Sequence, residues 1–233
     1  VEKIMVDIRP PVEFKEMGEG HSMLMPFGPH IVYSRMPEKV IKSLNAYHDA
    51  KIQQKKDKAL DHSKQLVGKV TQEFLIDDEQ IGRNADFFNS AFGAYHQFYL
   101  QRQHQKLKEG ARIGIQYHSA WLVKQYAGEF NPAHIHTECQ LSCVGYLKVP
   151  DLKKEDEEDP KKHYPCSGNI ELFHESSNYY HVGNIRIRPA VGDFIIFPSY
   201  LTHTVYPFKA DEERRSFSMN VSVKVDLGED KDE

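Results

Sequence analysis

The run GEFNPAHIHTE, residues 128–138, sets two histidines on either side of one isoleucine, with a glutamate two places further on. In an extended chain alternate side chains share a face, so His134, His136 and Glu138 would point the same way. Imidazole is the commonest transition-metal ligand, and a set of three donors on one face leaves positions open on an octahedral ion. Open positions favour redox or Lewis-acid chemistry over a closed structural site. The third donor has a candidate far downstream. In GDFIIFPSYLTH the apolar stretch Phe194–Phe197 reads as a buried strand, Pro198 breaks it, and His203 opens the next strand. His134, His136 and His203 make an all-imidazole set. His136, Glu138 and His203 make the two-histidine, one-carboxylate set usual for non-haem iron(II). Spacing leaves both open, and they differ by one unit of charge at the metal. The plainer alternative is three histidines on the wet side of ordinary strands. Against it stands the adjacent NPA, whose proline puts the segment near a strand end, where sites tend to be built.

A second constellation lies in RRSFSMNVSV. Arg214, Ser216, Ser218, Asn220 and Ser222 fall on one face of a strand, and Phe217, Met219, Val221 and Val223 on the other. If the polar face looks into a cavity, Arg214 and Ser216 can clamp a carboxylate, the guanidinium by paired hydrogen bonds and the hydroxyl by one more. A half-exposed surface strand would show the same alternation.

These residues need elements to hold them. Residues 1–35 are rich in Pro and Gly and read as short strands and turns. From Pro37 to about Leu66 the spacing of Val40, Leu44 and Tyr47 is helical, with a polar run after it that suits a solvated helix or a loop. VTQEFLI (70–76) is strand-like. Residues 85–110 give the clearest helix, with Phe88, Phe92, Tyr95 and Tyr99 as a core-facing stripe and Gly110 as its stop. From 111 onward, short strand-like runs alternate with turn signals: 112–130, 139–149, 168–174, 184–199, 203–208 and 214–225. That is the rhythm of an antiparallel barrel or two-sheet jelly roll. The charged segment 151–168 reads as a solvated loop between two strands, and the acidic end 226–233 as a disordered tail. The expected architecture is α+β but mainly β: one domain over 1–233, with strands and helices in 1–110 packed on one sheet of a β-core spanning 111–225.

Length and composition exclude some functions. At 233 residues with 39% hydrophobic and 27% charged content the chain can bury a substantial core. A formal net charge of −4 gives no reason to expect nucleic acid or an anionic membrane as partner. No run approaches the ~20 apolar residues of a membrane span. The start VEKIMVDIRPP has acids where a secretory leader needs a basic and then an apolar run. Cys139, Cys143 and Cys166 are few and odd in number, as expected of reduced thiols in a cytoplasm.

The runs YAGEFNPAHIHTECQLSCVGYL, GNIELF, RPAVGDFIIFPSYLTHTVYPF and RRSFSMN together resemble the 2-oxoglutarate/iron(II) oxygenases of marine bacteria and cyanophages. Those enzymes are similar in turn to prolyl-4-hydroxylases and share a double-stranded β-helix (jelly-roll) fold. The resemblance covers roughly residues 115–222. It implies Fe(II), 2-oxoglutarate and O2 as cofactor and cosubstrates, and a dioxygenase that hydroxylates a small molecule, peptide or protein. Gly128 stands six places before His134, which takes the role of the first metal-ligating histidine. His136 stands where the hydroxylases have aspartate, and His203 takes the distal histidine. Arg214 and Ser216 fall on the positions that bind the far carboxylate of 2-oxoglutarate, and Tyr146 on a strand tyrosine that hydrogen-bonds it. Glu138 stays a second candidate for the exchanged ligand. A rival resemblance, to cupin metalloenzymes that use no 2-oxoglutarate, matches the glycine, the His-x-His pair and GDFIIFPSYLTH. Its glutamate comes too early, at 138, and Tyr200 and Pro207 stand where its second motif has glycine and asparagine. Trp121 and Tyr126, just before the ligand loop, are candidates for the cavity wall or for core packing.

Overall fold

In a computed structural model, which describes residues 15–16, 21–24, 28–54, 70, 72–102, 110–158, 165–175 and 183–226, strand alternation decides what faces the site. Three short strands come first, β1 (Lys15–Glu16), β2 (His21–Leu24) and β3 (Ile31–Arg35). Helix α1 (Glu38–Gln54), strand β4 (Gln72–Leu75) and helices α2 (Asp78–Arg83) and α3 (Ala85–Arg102) follow. The second half holds β5 (Arg112–Gln125), β6 (Asn131–His134), β7 (Leu141–Lys148), α4 (Leu152–Glu158), β8 (Ile170–Phe173) and β9 (Asn184–Ile187). It closes with β10 (Asp193–Pro198), β11 (Thr202–Val205) and β12 (Arg214–Asp226).

The strands pair antiparallel in two sheets: an eight-stranded sheet ordered β1-β2-β3-β10-β7-β12-β5-β4 and a four-stranded sheet ordered β6-β11-β8-β9. Of the last eight strands, β5, β7, β10 and β12 lie in the large sheet and the other four in the small one. The chain thus crosses repeatedly between two facing sheets, which is the double-stranded β-helix expected from the strand rhythm.

Two apolar layers follow from the strand period. On the outer face of the large sheet, Leu122, Phe194, Ile196, Phe217, Met219 and Val221 pack against Val40 and Leu44 of α1, Ile81 of α2 and Phe88, Phe92 and Phe98 of α3. On its inner face Val144, Tyr146, Ile195 and Phe197 meet Ile170, Leu172, Ile185 and Ile187 of the small sheet. Burying each large side chain contributes about 1.5–3 kcal/mol. The helices therefore sit on one sheet, as expected. Asp77 caps α2 by accepting a hydrogen bond from the Gln80 amide at 2.9 Å.

The outer layer is tightest where β7 passes β12. Gly145 lies opposite Phe217, and a Cβ there would come within 2.2 Å of the Phe217 ring, which is wedged among Phe88 and Phe194. Gly145→Ala is expected to displace that ring and cost about 1–3 kcal/mol. A urea midpoint lowered at unchanged m-value would show it.

Two expectations need correction. Residues 152–158, read as part of a solvated loop, form α4: buried Leu152 seats it, Asp151 accepts from the Lys154 amide at 3.0 Å, and buried Asp156 pairs with Arg188 at 3.1 Å. Tyr99, placed in the core stripe of α3, is 44% exposed and packs edge-on to His30. The stretches over which the two long helices were expected to continue, 55–66 and 103–109, lie outside the described residues. The segment 1–14, the polar run after α1 and the acidic tail beyond Asp226 lie outside the described residues. No described helix is long and apolar enough to cross a membrane, and all three cysteines are free thiols.

Candidate metal centre

β6 and β11 pair so that His134 and His203 are directly opposite one another. β6 ends at His134, and His136 follows in a loop whose backbone is tied back by a hydrogen bond from the His136 amide to the Ser199 carbonyl, 2.9 Å long. The result is convergence: one ring nitrogen from each of His134, His136 and His203 lies within 4.8 Å of the others. Nε2 of His136 and Nε2 of His203 are 3.3 Å apart. Two imidazole nitrogens about 2.1 Å from one ion, at the angles of a tetrahedral or octahedral site, would stand about 3.0–3.4 Å apart, so the spacing fits a shared transition metal.

The other nitrogens fix the tautomers. Nδ1 of His134 lies 2.7 Å from the Pro132 carbonyl, and Nδ1 of His203 lies 2.9 Å from the Leu201 carbonyl. A carbonyl can only accept, so each Nδ1 carries the proton and each Nε2 turns a lone pair to the cluster. Burial, reinforced by neighbouring His134, pushes His136 down to about 4. Burial and then His134 push His203 down to about 3. Both are neutral at pH 7, the form that binds metal.

Glu138, the alternative ligand, stays outside this cluster. It is exposed and has φ +61, because the extended alternation that would have aligned it with His134 and His136 stops where β6 ends.

The three histidines form one wall of a cleft between the sheets. Arg214, Ser216 and Ser218 project into it from β12, so the polar face of that strand looks inward while Phe217 and Met219 pack beneath the helices. Arg214 is buried to 1% exposure, donates from Nη1 to Gln125 Oε1, and has Nε and Nη2 without a hydrogen-bond partner among the described residues. Two unmet donors on a buried cation are costly unless an anion completes them. Tyr146 is fully buried with its ring centroid 5.0 Å from the guanidinium, and it lies beneath Arg214 rather than on the cleft wall. Burial lowers the Arg214 pKa from its ordinary value, and Tyr146 works against that shift. Trp121 lines the cleft with its ring 5.6 Å from His136. Tyr126 carries the Lys124 ammonium over its ring and is not on the wall.

Sequence reading missed Gln125. It stands opposite Arg214 in the β5–β12 register, buried, with Nε2 unpartnered among the described residues. Register is the signal, and it is visible only once the strands are paired. Gln125→Glu would place a carboxylate against Arg214 and supply internally the anion that the guanidinium lacks. The expected outcome is loss of dicarboxylate binding with unchanged or raised thermal stability, read by thermal shift with and without 2-oxoglutarate.

Residues 119–220, which carry all of these side chains, match a family model described as "Putative 2OG-Fe(II) oxygenase". The match falls on the β-core and covers less than half of the chain. No curated protein matches the chain by sequence. Among solved structures, this chain's β-core and helices are similar to SnoK, a non-haem α-ketoglutarate-dependent carbocyclase of nogalamycin biosynthesis (9% identity, 81% of this chain and 79% of that chain, TM-score 0.50). They are also similar to a prolyl-4-hydroxylase of Pseudomonas putida (16% identity, 87% and 91% covered, TM-score 0.48). A third is the prolyl hydroxylase of Trichoplax adhaerens solved with a hypoxia-inducible-factor peptide (12% identity, 87% and 83% covered, TM-score 0.47). The family implies Fe(II), 2-oxoglutarate and O2. The residues fit: three imidazoles with lone pairs converging, and a buried cation with two unmet donors in the same cleft.

Proposed function

We propose that this chain is a 2-oxoglutarate-dependent hydroxylase in which His134, His136 and His203 hold iron(II), and Arg214 with Ser216 binds the far carboxylate of the cosubstrate. Iron(II) with 2-oxoglutarate and dioxygen supplies an oxidant able to hydroxylate a C–H bond while the cosubstrate is decarboxylated to succinate. The protein's own part is positioning and exclusion of water. The carbonyls of Pro132 and Leu201 lock the rings of His134 and His203, so the donors are aimed before any metal arrives. Gln125 holds Nη1 of Arg214, leaving Nε and Nη2 to receive a carboxylate. Phe197 and Val205 make the wall apolar beside His203, which strengthens each charge interaction inside the cleft. Tyr146 supports the guanidinium from below.

The observation that carries this reading is the pairing of the imidazole cluster with an anion-seeking arginine in one cleft. A metal site without 2-oxoglutarate would give Arg214 nothing to bind. The acceptor is a small molecule, peptide or protein side chain; with a net charge of −4 we expect neither nucleic acid nor membrane. We place the protein in the cytoplasm, where its three free thiols stay reduced. The test is succinate release by purified protein given iron(II), ascorbate and 2-oxoglutarate. Succinate should form only when both iron(II) and 2-oxoglutarate are present. Iron-loaded protein that forms none above the metal-free control would overturn the reading.

A further inference from the structure

The charge in the cleft does not sum as it does in the usual two-histidine, one-carboxylate site. Among the described residues the cleft wall holds no aspartate, glutamate or lysine, and its one permanently charged side chain is Arg214. Cys143, also on the wall, is kept protonated by complete burial. The acids nearest in sequence are occupied or outside: Glu138 is exposed, Glu129 accepts from the Tyr126 amide at 3.0 Å, Glu171 is paired with Arg186 at 2.9 Å, and Glu213 is paired with Arg215 at 2.6 Å.

On the reading proposed above, a divalent ion held by three neutral imidazoles keeps both its positive charges. Arg214 adds a third, and the 2-oxoglutarate dianion cancels two. One positive charge remains in a cleft whose guanidinium is only 1% exposed, where it is expensive to leave unmatched. An aspartate or glutamate at position 136 would bring the sum to zero. His136 does not, and it is the half-buried, cluster-facing residue at that place. Three imidazoles and the two donors of a chelating 2-oxo acid fill five of the six positions of an octahedral ion. One position is left for the missing charge.

We propose that this centre, because of His136, takes up a small monoanion at the metal alongside the cosubstrate. The inference rests on the metal and cosubstrate assignments of the preceding section. It adds what that reading does not contain: the site is selective for an anion as third ligand, and a single side chain sets that selectivity.

Cobalt(II) in place of iron(II) allows the test in air, with N-oxalylglycine as the inert cosubstrate analogue. Cobalt loading and the analogue are first verified by the visible cobalt bands and by quenching of Trp121, the chain's only tryptophan. If cobalt does not load, or the analogue does not perturb it, the assignments of the preceding section fail and the inference falls with them. With both bound, azide is titrated while the cobalt bands are followed. We expect a saturable spectral change, reversed by chloride or thiocyanate and not produced by uncharged acetonitrile. We also expect azide to bind His136→Asp at least tenfold more weakly. Should that variant fail to load cobalt, the anion-over-acetonitrile preference of the wild-type protein decides. A loaded wild-type centre that ignores azide, takes acetonitrile equally well, or binds azide no more tightly than His136→Asp would overturn the inference and leave the metal and cosubstrate sites standing.

Discussion

His203→Ala is expected to weaken iron(II) binding by more than about a hundredfold. Loss of an outer-shell partner of a metal ligand already costs 10–100-fold, and here a ligand itself is removed. His203 is the pivot of the cluster. It is buried to 4% exposure, stands across the strand pair from His134, and has Nε2 3.3 Å from that of His136. Its removal leaves two donors on one arc of three residues, with no donor from the facing strand. Trp121 reads this directly, since its ring is 5.6 Å from His136 and a paramagnetic ion there quenches its emission. Wild-type quenching should saturate with added iron(II) under anaerobic conditions, and the variant's should not in the same range. Equal titration curves would remove His203 from the site.

Arg214→Met is the second large effect, and it should move two quantities in opposite directions. Losing a charge-assisted clamp costs about 1.5–3 kcal/mol of 2-oxoglutarate binding, roughly ten- to a hundredfold in affinity. The same substitution removes a cation that is fully buried with two donors unmet among the described residues. Replacing such a charge by an apolar side chain of similar length is often neutral or stabilising. The expected result is a protein at least as stable as wild type without cosubstrate, and one whose melting temperature no longer rises when 2-oxoglutarate is added to the iron-loaded form. A merely structural arginine would instead give a destabilised variant that still responds to 2-oxoglutarate. Arg215, the next residue, makes a useful contrast. It points to the opposite face of β12 and is held by Asp49 at 2.8 Å and Glu213 at 2.6 Å, so it is a satisfied cation that pins α1 to the strand.

Much of this was legible because strand alternation turns sequence directly into facing. The run Phe194–Phe197 is buried on both sides as its lack of polar positions required, and the two faces of β12 separate a polar cleft wall from a core layer. His134, His136 and His203 could be named from spacing. The choice between His136 and Glu138 could not be made, since it depends on where β6 ends and on the left-handed turn at 138. Long-range pairing hid the rest. Gln125 carries no motif and gains its meaning only from its register with Arg214. The charged residues of α4 look like a loop until Arg188, just past β9 and two strands further along the chain, is seen to neutralise Asp156. Tyr99 keeps the helical spacing of the core stripe, yet it packs on His30 and stays half exposed. Periodicity says which residues share a helix face, not how far the facing sheet extends.

The central claim is that one cleft binds iron(II) and 2-oxoglutarate together, through the imidazole cluster and the buried guanidinium. The most direct measurement is an anaerobic iron(II) titration, with and without 2-oxoglutarate, followed in the visible range. The account predicts a weak charge-transfer band that appears only when both are present, saturates at one iron per chain, and is lost in His203→Ala. Iron bound at that stoichiometry with no band on adding 2-oxoglutarate would contradict it.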